Sequence, residues 1–132
     1  MSPEPKISEP AKNSTHILIV DEDREAGKSL AAMLSATGCD EIRTVRSAAR
    51  AMAIAATFQP AIAFLGTPQA DGGGTELALQ LHKNARPHNI RVFALTDSSE
   101  HPAKEVARAA GLERYITRPV TQIELDKVLR RT

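Results

Sequence analysis

From His16 onward, short apolar runs of β type alternate with longer stretches of helical periodicity, a pattern few architectures can absorb. A strand buried on both faces reads as an unbroken apolar run, and such strands separated by helices form a parallel sheet covered on both sides. Ile17-Leu18-Ile19-Val20 is the clearest run of this kind. Further strands are expected at residues 42–45, 61–65, 91–95 and 115–116. Helices are expected at 24–36, with Ala26, Leu30, Met33 and Leu34 on one stripe, and at 48–58, with Ser47 as cap. Three more are expected at 75–84, 102–110 and 120–130, the last with Ile123, Val128 and Leu129 inward. Gly38, Pro60 and Gly111 supply stops. Five βα units with right-handed crossovers predict an α/β fold with a doubly wound, five-stranded parallel sheet of order 2-1-3-4-5, flavodoxin-like (βα)5. Its ligand crevice lies at the carboxyl ends of strands one and three.

A chain of 132 residues, 42% hydrophobic, suits one domain. Residues 1–15 hold three prolines and no apolar stretch, so a disordered tail is expected there, with the domain over 16–132. No apolar run approaches the roughly 18 residues of a membrane span. Cys39 is the one cysteine, which excludes an intramolecular disulfide and fits the reducing cytoplasm. The 17 basic and 16 acidic residues nearly cancel, so no global field recruits nucleic acid or anionic lipid.

Asp21 and Glu22 follow the first strand directly and emerge at the ligand edge. Paired acids there look like half of a hard-cation site, although an acidic βα loop is more often a solvated turn. The Gly72-Gly73-Gly74 run lacks the lysine and spacing of a phosphate-cradling loop. His82, His88 and His101 lack metal-ligand spacing. Lys127, Arg130 and Arg131 suit a helix C-terminus, and three such residues do not make a nucleic-acid surface.

Four segments in order decide the matter: Ile17-Leu18-Ile19-Val20-Asp21-Glu22-Asp23, Asp71-Gly72-Gly73-Gly74-Thr75-Glu76-Leu77, Phe93-Ala94-Leu95-Thr96 and Tyr115-Ile116-Thr117-Arg118-Pro119. Together they resemble a response-regulator receiver of two-component signalling, and the stretch 111–119 resembles that family's G-A-x-x-Y-[LI]-x-K-P signature. The resemblance implies that Asp21 and Glu22 match the acidic pair holding Mg2+, that Thr96 matches the hydroxyl residue contacting the phosphoryl group, and that Tyr115 matches the aromatic switch. Thr96 lies 96 − 66 = 30 residues past Gly66, and Arg118 lies 118 − 66 = 52 past it, as the family's alignment requires. Position 66 is therefore the phosphoacceptor position.

Glycine has no carboxylate with which to form an acyl phosphate. Arg118 stands where the family has lysine, keeping the charge but not the point-donor geometry. Pro68 falls where a backbone carbonyl serves as metal ligand. Asp71 and Asp97 are weak candidates for a substitute acceptor, Asp97 being read first as a solvated or capping residue. Cys39 is expected to be an ordinary small residue near a turn. The expected function is therefore an atypical receiver, not an enzyme, that binds a histidine kinase or downstream effector through helix four, strand five and helix five. It would need no cofactor and bind Mg2+ weakly at best, with a homodimer left open. A receiver using another acceptor, and a small-ligand sensor in the emptied crevice made anion-tolerant by Arg118, are the alternatives.

Overall fold

The computed structural model describes residues 13–66, 73–85 and 89–130. Strands β1 (Asn13–Asp21), β2 (Cys39–Val45), β3 (Ile62–Gly66), β4 (Arg91–Thr96) and β5 (Arg114–Thr117) alternate with helices α1 (Arg24–Ala36), α2 (Ala48–Phe58), α3 (Gly73–Ala85), α4 (Lys104–Ala109) and α5 (Gln122–Arg130). All four strand pairs are parallel, and the sheet runs β2-β1-β3-β4-β5, the expected order.

Side-chain alternation along the central strands divides the core in two. Leu18, Val20, Ala63, Leu65, Val92 and Ala94 pack against α2, α3 and α4. Ile17, Ile19, Ile62, Phe64, Phe93 and Leu95 point the other way, onto Leu30 and Leu34 of α1 and Leu125 and Val128 of α5. Both faces of β1, β3 and β4 are covered, which explains the unbroken apolar runs.

Helix starts and stops follow local chemistry. Asp23 caps α1 by accepting from the amides of Glu25 and Ala26, and Ser47 caps α2 by accepting from that of Arg50. Beyond α4, Gly111 takes a left-handed φ of 85°, which a side chain would strain.

The strands extend past their apolar runs: β1 begins at Asn13, within the stretch expected to be a tail, and β2 begins at Cys39. Backbone pairing between Asn13 and Cys39 needs no apolar side chain. Residues 1–12 lie outside the described residues. Helix α3 begins at Gly73, two residues before its expected start, and α4 is shorter than expected at both ends. Ile123 is corrected outright. It is 68% exposed, because α5 turns Leu125, Val128 and Leu129 toward the sheet, and Ile123, two residues before Leu125, falls on the opposite side. Cys39 is a core residue of β2, where burial pushes its thiol pKa up.

Candidate functional site: the crevice at the ends of β1 and β3

The register of the sheet pairs Asp21, the last residue of β1, with Gly66, the last of β3. Alternation from Ile19 and Phe64 turns both toward the face covered by α1 and α5. Asp21 is the one buried charged residue among the described residues, at 5% exposure. A bare buried carboxylate is costly, so it must be paired or hydrogen-bonded. It is both: Oδ1 accepts from the Asp23 amide at 2.9 Å, and Oδ2 accepts from Arg118 Nη1 at 3.0 Å.

Arg118 follows β5 and is held in place through its own backbone, its amide donating to the Thr96 carbonyl at 2.7 Å. Its side chain forks. While Nη1 reaches Asp21, Nε donates to Asp97 Oδ1 at 3.1 Å. The Asp97 carboxylate is 84% exposed, so that arm contributes less than the buried one.

Glycine at 66 is a condition of this arrangement. A Cβ built there would overlap Asp21 Oδ2 and stand 2.6 Å from Asp21 Cγ. The Asp21 carboxylate therefore occupies the space that any larger residue at 66 would need.

The other expected site residues are distributed differently. Glu22 is exposed, and its carbonyl accepts from Arg46 Nε at 3.2 Å. Thr96 ends β4, and its Oγ1 accepts from the Ser98 amide at 3.1 Å. Tyr115 is half-buried on the α4 side, with its ring centroid 5.9 Å from that of His101, whose Nε2 lies 2.7 Å from Thr117 Oγ1. The structure thus brings Asp21, Gly66 and Arg118 together at one point, with Glu22 turned to solvent. Pro68 and Asp71 lie outside the described residues.

The role of Asp97 was missed in the sequence, where it read as a solvated or capping residue. The signal was available in the topology: Thr96 pairs with Thr117, so the next residue of each chain segment, Asp97 and Arg118, leave adjacent strands side by side.

These donors do not fit Mg2+, which demands oxygen ligands in near-octahedral order at about 2.0–2.1 Å. Asp21 Oδ2 is committed to a guanidinium, position 66 supplies no side-chain oxygen, and Glu22 is exposed. Among the described residues, no three His, Cys, Asp or Glu side chains gather as a metal site. An anion fares no better. The adjoining cavity of about 330 Å³, walled by Leu30, Met33, Leu95 and Val120, presents one guanidinium already shared by two carboxylates.

Comparison with known proteins agrees with the sheet order. The family model described as "Response regulator receiver domain" matches residues 17–130. The fold is similar to a CheY-like response regulator receiver domain protein of Methanospirillum hungatei JF-1, with 25% identity, a TM-score of 0.75, and 90% of this chain and 93% of that one covered. It is also similar to the chemotaxis protein CheY4 of Vibrio cholerae, with 18% identity, a TM-score of 0.76 and coverage of 90% and 98%. A two-component response regulator of Clostridium difficile aligns with 21% identity, a TM-score of 0.73 and coverage of 89% and 98%. No curated protein sequence matches the chain. No helix among the described residues is long and apolar enough to cross a membrane.

Proposed function

The chain belongs to the response regulator receiver domain family, and from that premise we propose that it signals by protein contact without aspartyl phosphorylation. Receiver domains of two-component signalling act by interacting with kinases or effectors. Phosphoryl transfer to a receiver needs a carboxylate nucleophile, and at position 66 there is only a hydrogen.

The observation that carries the proposal is the position of Asp21. Its carboxylate fills the space over Gly66 and is bound to Arg118, so the crevice holds an internal ion pair where a metal-bound phosphoryl group would need room. The guanidinium is a cation covalently supplied by the chain. On this basis Mg2+ is bound weakly and no cofactor is required, and the domain is a cytoplasmic binding module, not an enzyme.

The partner, a histidine kinase or a downstream effector, docks on the face formed by α4, β5 and α5. Support for that face comes from Val106 on α4 and Ile123 on α5, exposed at 57% and 68%, with half-buried Tyr115 on the strand between the two helices.

The test is intact-mass analysis after incubation with acetyl phosphate and Mg2+. The expected result is an unmodified mass. Stoichiometric addition of one phosphoryl group, mapped to Asp97 or Asp71, would overturn the proposal.

A further inference from the structure

The near-neutral charge of the whole chain conceals a strong local imbalance. A groove of about 640 Å³ runs along the β5 edge of the sheet between α4 and α5. Six of its lining side chains are cationic: Arg91, Lys104, Arg108, Arg114, Lys127 and Arg130. Glu113 is the one acid among them.

Two of the six are structural. Arg91 donates through Nε and Nη2 to the two carboxylate oxygens of Glu113 at 2.8 and 2.9 Å, and through Nη1 to the Val128 carbonyl, tying α5 to β4. Arg114 is paired with Glu124 at 2.8 Å. The other four, Lys104 and Arg108 one turn apart on α4 and Lys127 and Arg130 on α5, are exposed and make no ion pair among the described residues. All four line the one groove, Lys104 and Arg108 from the α4 side and Lys127 and Arg130 from the α5 side.

An apolar element belongs to the same surface. Ile123, Lys127 and Arg130 fall at i, i+4 and i+7, so the exposed isoleucine shares one helical stripe with two of the free cations. We propose that this groove binds an acidic peptide segment of a partner protein, with glutamate or aspartate side chains against Lys104, Arg108, Lys127 and Arg130 and an apolar anchor residue against Ile123. This deepens the proposal above, since it rests on the α4, β5 and α5 face being the partner face and adds the partner's chemistry.

Two other occupants fit less well. Nucleic acid would exploit the charge, but single strands also need exposed aromatic rings to stack on. The three phenylalanines, Phe58, Phe64 and Phe93, are buried, the chain has no tryptophan, and Tyr115 is half-buried. A second copy related by a two-fold axis would set each basic groove against its own image, placing like charges together.

The full chain, labelled with 15N, would be titrated with a short synthetic peptide carrying glutamates around a central leucine, and the amide shifts followed. Shifts confined to α4, β5 and α5 are expected. Affinity should fall by at least about tenfold in the Lys127→Glu, Arg130→Glu double variant, whose changes lie on the exposed side of α5. It should also fall when glutamine replaces the glutamates, and when serine replaces the leucine. Shifts elsewhere, indifference to the charge reversal, tighter binding of a single-stranded oligonucleotide, or dimerisation through this face would each overturn the proposal. If the glutamine peptide bound the same face equally well, that face would stand as the partner site and the acidic partner alone would be lost.

Discussion

Replacing Gly66 with alanine should destabilise the domain, although a glycine in a strand is ordinarily a weak point that alanine improves. The added Cβ would stand 2.6 Å from Asp21 Cγ, about 1 Å inside the roughly 3.5 Å contact distance of two carbons. Asp21 must then swing away and give up the 3.0 Å bond from Arg118, a charge-assisted hydrogen bond worth roughly 1.5–3 kcal/mol where it is shielded. Against this, the stiffer unfolded chain returns about 0.4–1 kcal/mol. The net loss should be about 1–2 kcal/mol, read as a lower urea midpoint at unchanged slope. The decisive comparison is a double-mutant cycle with Arg118→Ala. Once the arginine is gone, displacing Asp21 forfeits no ion pair, so Gly66→Ala should become nearly neutral. If the two changes instead add to within about 0.5 kcal/mol, glycine at 66 is not making room for the pair.

Arg118→Ala alone should lower stability by roughly 2–4 kcal/mol, since it leaves a carboxylate at 5% exposure without its cation; a rise in melting temperature would argue against the pair as a lock. Calorimetric titration of the native chain with Mg2+ should show binding far weaker than in a phosphorylatable receiver, and the Gly66→Asp, Arg118→Lys double variant should gain affinity and accept phosphate faster than Gly66→Asp alone, because only the double change also replaces the planar guanidinium with the compact point donor of a lysine. Failure of the double variant to bind either Mg2+ or beryllofluoride would mean that the crevice has diverged beyond these two residues. Cys39, whose thiol pKa is raised by burial, should react with Ellman's reagent only as fast as the domain opens. Because its ionisation is penalised only in the folded state, stability should fall as pH rises above the ordinary thiol value, and Cys39→Ala should remove that part of the fall.

Much of the fold could be read directly, because β1, β3 and β4 are covered on both sides and so carry unbroken apolar runs. Topology then fixed the crevice, and the Asp21 to Gly66 register follows from it. Edges were harder. The added residues at the starts of β1 and β2 are specified by backbone pairing with a neighbour, which leaves no mark in side-chain pattern. Ile123 misled because a lone isoleucine in the first turn of the short α5 reads as core, and only the docked helix shows that the stripe through Leu125 and Val128 meets the sheet. The basic groove escaped for a related reason. Lys127 and Arg130 suit a helix C-terminus when read alone, and they become a surface only when α4, β4 and β5 bring their own cations alongside.

Gly66 and Arg118 form one arrangement through Asp21. Glycine without arginine would leave Asp21 buried beside an empty space with no countercharge, a costly state. Arginine without glycine would find Asp21 pushed off its side of the crevice by the residue at 66. Lysine at 118 would keep the charge yet lose the geometry, since a single ammonium lacks the separated Nε and Nη1 donors that reach Asp97 at 3.1 Å and Asp21 at 3.0 Å. A planar fork spans both acids, and thereby ties the end of β5 to the end of β1 and to the loop after β4.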